Sequence, residues 1–241
     1  MKPEKKVLSI IFPLFNESAR LPPSLEAIKK YYENKSYLGE IIFVDDGSTD
    51  NTLKVIKKFK AKFPIKIISS SPNKGKGYAI KRGVLKASKP VILFMDIDLS
   101  TSLGMTERFL NEFEGNTLLI GNRESPKSKL IKRQSCLREG MGRTFTLASN
   151  IILKNNCSDY TCGFKMFPAN LGKKIFSKAK VNRWSFDAEL IFLAKKMGAK
   201  IKEIPVTWKH KGKSKVNLKK DVFYSLFELL KIRWFDLLGK Y

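Results

Sequence analysis

The chain has 241 residues, 43% of them hydrophobic, with 47 Lys and Arg against 22 Asp and Glu for a net charge of +25. That length suffices for one α/β domain with a sizeable core, and the composition excludes a disordered or collagen-like chain. The excess of cations marks either an anionic partner (nucleic acid, an anionic membrane face, a phosphorylated substrate) or a solvated basic surface. No zinc-finger spacing or RNP-type aromatic strand accompanies the charge, which speaks against nucleic acid.

Val7 to Phe12 reads as a first strand ending in PLFNES, too short for a signal-peptide core or a membrane span. Pro22 and Pro23 suit a helix start, with Leu25, Ile28 and Tyr32 at helical spacing. Ile41 to Val44 is a second strand, and Ser48 or Asp50 caps a helix bearing Leu53, Ile56 and Phe59. Ile65 to Ser69 is a short third strand, followed by NKGKGYAIKRGVLKA, a glycine-containing turn into a helix. Val91 to Met95 is the fourth strand, Thr106 to Phe113 lies in a helix, and Thr117 to Ile120 is the fifth strand. After Gly121 the alternation breaks. Residues 123–143 are rich in Arg and Lys, and residues 144–153 are apolar and helical. Tyr160 to Phe167 reads as a strand, Phe186 to Met197 as a helix, and Ile201 to Trp208 as another strand. The expectation is an α/β fold with a mostly parallel sheet flanked by helices.

Three cysteines, Cys136, Cys157 and Cys162, form no CxxC pair, which favours a reducing compartment. No segment has the ~18 uncharged apolar residues of a membrane span. The lone His210 sits in a Lys-rich loop and reads as solvated rather than as a metal ligand.

The chemistry concentrates at strand ends. VILFMDIDLS runs from a fully apolar strand into Asp96 and Asp98, and open α/β sheets bind ligands outside the carboxyl ends of their strands. Carboxylates at i and i+2 share one hard cation, Mg2+ or Mn2+, that neutralises a diphosphate leaving group. Alone such a pair is a weak signal; at the end of a buried strand it is a strong one. Ser100 and Thr101 then read as caps of the next helix. Asp45 and Asp46 end the second strand, as an Asx-turn or as acceptors for a nucleobase N–H or ribose hydroxyls, with Asn16 and Glu17 nearby. Asn73, Lys74, Gly75, Lys76 and Gly77 form either a structural glycine turn or an anion cradle at a helix N-terminus. Arg123, Arg133, Arg138 and Arg143 are either phosphate ligands or a solvated basic loop.

Taken in order, PLFNE, VDDGSTDNT, NKGKGYAIKRG, MDIDLS, GNR, DYTCGFKMF, RWSFDAELIF and EIPVTW with a following SKV resemble the family 2 glycosyltransferases of GT-A (Rossmann-like) fold. Within that family the chain is most similar to the dolichyl-phosphate sugar transferases, and to the β-glucosyl branch more than the mannosyl one. The resemblance implies a nucleotide-sugar donor, a polyprenyl- or dolichyl-phosphate acceptor and inversion at the anomeric carbon. It implies that Pro13, Asn16, Glu17 and Asp46 bind the nucleoside and that Asp96 and Asp98 hold the metal and donor. It implies that Arg123 and Arg138 meet phosphate with Ser135 as companion. Asp159, Gly163, Glu189 and the Trp184 region are expected to line the sugar and acceptor pocket, and Lys215 to close over the diphosphate. Trp184 and Trp208 read equally as core aromatics.

The chain is expected to be one domain over 1–241, with a nucleotide-sugar half at 1–121 and an acceptor half at 122–241. A phosphate acceptor is already ionised and needs cations rather than a base. A sugar-hydroxyl acceptor needs a carboxylate base, for which Asp159, Asp187 and Glu189 are the candidates. UDP-glucose is the favoured donor and GDP-mannose the alternative. Lys219 to Tyr241 carries Val222, Phe223, Leu226, Phe227, Leu230, Trp234, Leu237 and Leu238 among charges. That segment is either an amphipathic helix on a membrane face or a helix packed on the core. With no spanning helix, the expected location is cytoplasmic and peripheral to the membrane.

Overall fold

The computed structural model describes residues 6–211 and 218–241, with side chains from 224 onward in the second stretch. Lys215, Val222 and Phe223 therefore lie outside the described residues or side chains. The first half runs β1 (Leu8–Leu14), α1 (Leu21–Tyr32), β2 (Leu38–Asp46), α2 (Thr52–Lys58), β3 (Ile65–Ser70), α3 (Lys76–Lys86), β4 (Val91–Met95), α4 (Met105–Glu112) and β5 (Thr117–Asn122). It continues with β6 (Lys129–Lys132), α5 (Cys136–Leu153), β7 (Phe164–Pro168), α6 (Ala169–Lys178), α7 (Phe186–Lys196), β8 (Lys200–Pro205), β9 (Thr207–Lys209) and α8 (Leu218–Leu237).

Seven strands form one sheet in the order β3-β2-β1-β4-β7-β5-β8, and β6 pairs with β9 apart from it. β1 to β4 run parallel, β7 runs antiparallel to both β4 and β5, and β5 is parallel to β8. Alternate residues of β1 feed opposite cores. Ile11 joins Val44, Ile80, Phe94 and Ile191 on the face covered by α3, α6 and α7. Ile10 and Phe12 join Leu25, Ile28 and Phe109 on the face covered by α1 and α4. Because helices cover both faces, the central strands are apolar throughout instead of alternating. The prolines fall in the first turn of α1, where no N–H is needed.

The topology assembles the site. β1, β2 and β4 deliver Leu14, Asp45 and Met95 to one edge of the sheet, and antiparallel β7 starts there, with Phe164 opposite Met95. The loop before β7 is thereby brought onto the residues after β4.

Several elements differ from expectation. Residues 160–163 are loop, because their polar backbone is taken by side chains. Lys165 Nζ donates to the carbonyls of Tyr160 and Cys162, and the N–H groups of Thr161 and Cys162 donate to Asp159. α5 begins at Cys136, well ahead of the apolar stretch, since Leu, Arg, Glu and Met are good helix formers without being apolar as a set. α6 was not anticipated; Leu171, Gly172, Ile175 and Phe176 bury one side of it. The strand expected over 201–208 divides at Val206 into β8 and β9, which join different sheets, and Pro205 has no N–H to continue the ladder.

Candidate active site

Asp96 follows β4 directly, and its N–H donates to the carbonyl of Gly163 at 3.2 Å. Its carboxylate lies flat against that glycine, so close that a Cβ at 163 would stand 2.0 Å from Oδ2. Lys76 Nζ, from the first turn of α3, lies 2.6 Å from Asp96 Oδ1. Burial works to lower the Lys76 pKa, but the charges of Asp96, Asp187 and Asp98 outweigh it and hold the ammonium above its ordinary value. Asp98 accepts from the N–H of Ser100 at 2.9 Å, across a turn in which Leu99 has φ 53°. Burial and the neighbouring Asp96 push the Asp98 carboxyl up. Two carboxylates disfavouring each other's charge have the chemistry that suits a hard cation, and the Gly163 cradle fixes the first of them. No group of three or more His, Cys, Asp or Glu gathers among the described residues. Ser100 and Thr101 are not helix caps: α4 starts at Met105, and Thr101 forms a β-bridge with Trp208.

At the end of β2, the two acids differ in their partners. Asp46 Oδ2 accepts from Asn73 Nδ2 at 2.8 Å, Lys74 N at 3.0 Å and Gly75 N at 2.6 Å. The expectation that Lys74 and Gly75 offer backbone N–H groups to an anion is corrected, since both donate to Asp46 Oδ2; Asp46 Oδ1 receives Ser70 Oγ at 3.4 Å. Gly75 holds φ +113°, which favours glycine, and a Cβ there would meet the carbonyl of Asn182 at 2.5 Å. Asp45, in contrast, has a buried Oδ1 with no hydrogen-bond partner. Asn16 Oδ1 accepts from the N–H of Thr49 at 2.8 Å, and its own N–H donates to Ser48 Oγ. Asn16 thus ties the 48–50 turn to the end of β1. Glu17 N donates to Thr52 Oγ1, and Pro13 pairs with Val44 in the sheet.

Across the site, Arg123 grips Asp159 through Nε at 2.7 Å and Nη2 at 2.8 Å, and its N–H adds a third bond. Nη2 also donates to Thr161, and the guanidinium lies 5.6 Å from the centre of the Trp208 ring. Burial would raise the Asp159 carboxyl, but Arg123 overrides it and holds the group below the usual carboxylate range. The reading of Asp159 as pocket base is corrected on this ground, since its oxygens are committed to orienting Arg123 and the 161–162 backbone. Arg138, on α5, has its pKa lowered by burial and by the facing Arg123. Ser135 is the N-cap of α5, its carbonyl accepting from Arg138 and Glu139 N–H groups. A cavity of about 320 Å³ opens beside Arg123, lined also by Arg133, Arg143, Glu124 and Glu139.

Glu189 is likewise corrected. It is 0% exposed, accepts from the N–H groups of Lys180 and Val181, and receives the Tyr241 hydroxyl. It fastens the segment before α7 and the end of the chain. Trp184 is half-buried in the turn before α7. The residue that went unremarked is Lys165, 0% exposed on β7, whose ammonium lies 2.5 Å from Asp187. A lysine between the apolar residues of CGFKMF was the available signal, because a buried ammonium demands a carboxylate.

The family model for glycosyl transferase family 2 matches residues 9–176. The dolichyl-phosphate β-glucosyltransferase of Dictyostelium discoideum is 32% identical over 246 residues, covering 96% of this chain and 75% of that protein. The human protein of the same name is 32% identical over 218 residues, covering 84% of this chain and 67% of that one. Among solved structures, glucosyl-3-phosphoglycerate synthase from Mycobacterium tuberculosis, in complex with Mn2+, UDP and glucosyl-3-phosphoglycerate, matches with a TM-score of 0.67. It is 18% identical, with 95% of this chain and 80% of that chain covered, so the likeness is one of fold.

Proposed function

The chain belongs to glycosyl transferase family 2, and on that premise we propose that it transfers glucose, from UDP-glucose, to a polyprenyl or dolichyl phosphate. The names of the relatives support the glucosyl and dolichyl-phosphate parts of this reading, and the UDP-bound structural neighbour supports the nucleotide. The observation that carries the acceptor class is the cavity of about 320 Å³ lined by Arg123, Arg133 and Arg143, in which no acid is left without an ion-pair partner. The acids lining it, Glu124 and Glu139, pair with Arg143 and Arg133. Asp159, Asp187 and Glu189 do not line it. Three guanidiniums around one cavity favour an anion that arrives already charged, and a phosphate acceptor needs no proton removed.

In this reading Asp45 Oδ1 accepts from the nucleobase N–H, completing a buried oxygen otherwise without a partner. Asp96 and Asp98 hold Mg2+ or Mn2+, which when bound neutralises the leaving diphosphate. Lys76 and Arg123 add positive charge around the reacting centre. Arg123 and Arg138 place the acceptor phosphate. Its oxygen attacks C1 of the sugar from the side opposite the nucleotide, the C1–O bond to diphosphate breaks with its electron pair, and the configuration inverts.

The same reading places the protein on a membrane surface. No helix among the described residues is long and apolar enough to cross one. α8 does not divide into one apolar and one polar side. Leu229 and Ile232 enter the core, while Phe227, Leu230, Trp234 and Leu237 are exposed. α5 packs beside α8 and exposes Leu137, Leu147 and Ile151. Apolar residues on a chain of net charge +25 suit an anionic bilayer, and α5 also carries Arg138. The test is acceptor competition. A short polyprenyl phosphate should accept glucose and oligosaccharides should not; the reverse result moves the acceptor to a sugar hydroxyl.

A further inference from the structure

We propose that Lys76 competes with the divalent cation for Asp96, so that the metal enters together with the donor diphosphate rather than ahead of it. The proposal rests on the reading of Asp96 and Asp98 as the metal-holding pair.

Lys76 Nζ stands 2.6 Å from Asp96 Oδ1. Neither partner's anchorage can yield easily. The backbone before Lys76 is fixed by Gly75, whose N–H is bound to Asp46 and whose Cα is crowded by Asn182 and Arg183. Asp96 is pressed on Gly163, with the glycine's missing Cβ filled by its carboxylate. The mobile part is the Lys76 stem, and the ammonium is the group that moves. Asp98 accepts from the N–H of Ser100 and makes no ion pair among the described residues, so the lysine neutralises one acid and leaves the other. Asp187, itself paired with Lys165, adds attraction from behind.

A cation arriving alone must displace the ammonium or sit beside it, and both are costly in a half-buried site. A diphosphate arriving with the cation offers the ammonium a new anionic partner. Metal and nucleotide then raise each other's affinity, a coupling that Lys76 creates.

The experiment is calorimetric titration of Mn2+ into the full chain, with and without UDP, for wild type, Lys76→Gln, Lys76→Arg and Asp96→Asn. Lys76→Gln should bind Mn2+ alone about fivefold more tightly than wild type, an effect of one ion pair's size. Lys76→Arg should behave as wild type. The tightening of Mn2+ by UDP should be large in wild type and much reduced in Lys76→Gln. Lys76→Met, which keeps the aliphatic stem, repeats the comparison should the glutamine variant fold poorly. Unchanged or weaker Mn2+ binding in the charge-free variants overturns the proposal while the metal site stands, provided UDP-dependent Mn2+ binding is seen in wild type and lost in Asp96→Asn. Absence of Mn2+ binding in wild type even with UDP overturns the metal site and the proposal with it.

Discussion

Gly163→Ala adds one methyl group at the most crowded point of the site. Gly163 does not have a positive φ, so alanine can adopt its backbone and the effect comes from the Cβ alone. That atom would stand 2.0 Å from Asp96 Oδ2 and 2.6 Å from Cγ, against a practical minimum of 3.0 Å. The carboxylate must retreat by at least the difference, 1.0 Å, which breaks its alignment with Lys76. The Asp96 side chain is 39% exposed, so a forced displacement is relieved on its solvent side and the stability cost should sit near the low end of overpacking, about 1 kcal/mol. A misplacement of that size costs roughly 100-fold in turnover. The assay pairs a thermal melt with nucleoside diphosphate release from the donor. A variant with near-normal melting and turnover within a few-fold of wild type would refute the cradle argument.

Other substitutions separate structural from chemical roles. Glu189→Gln should lower the melting temperature by the equivalent of about 1–3 kcal/mol for its lost charge-assisted bonds, with kcat almost unchanged; a collapse of kcat in folded protein would return Glu189 to the site. Glu40 supplies a pH dependence. Burial alone would raise its pKa, but bonds from Lys66, Ser9 and Ser88 outweigh that and hold it at about 2. A depressed folded pKa gives stability that is present above the unfolded value and lost as pH falls through the folded one. Roughly 3 kcal/mol should therefore disappear between about pH 5 and pH 2, and denaturant titrations of Glu40→Gln should show a flatter profile over that window. For the membrane face, Leu230→Glu with Trp234→Glu should abolish co-sedimentation with anionic vesicles and leave the melting temperature close to wild type. Unchanged sedimentation would remove α8 from the interface.

The strands and the Asp96–Asp98 pair were legible because burial on both faces forces continuous apolar runs and because open parallel sheets end at ligands. The partners of the acids were not legible. Arg123 meets Asp159 across 36 positions and Lys165 meets Asp187 across 22, distances that no local pattern encodes. Asp45 and Asp46 are neighbours of the same type, yet one has an oxygen bound three times by the 73–75 loop and the other keeps a buried oxygen without a partner. Only the fold of that loop tells them apart. Glu189 shows the same limit. It sits two residues from Asp187 in a motif that reads as functional, and the turn of α7 carries it into the core.

The central claim is tested most directly by incubating the protein with UDP-glucose, a short polyprenyl phosphate and Mg2+ or Mn2+, then following UDP and lipid-linked glucose together. The account expects both products in equal amount, with the glucose in inverted, β-linked configuration. Transfer from GDP-mannose instead, or UDP release with no lipid product while an oligosaccharide is glycosylated, would contradict it.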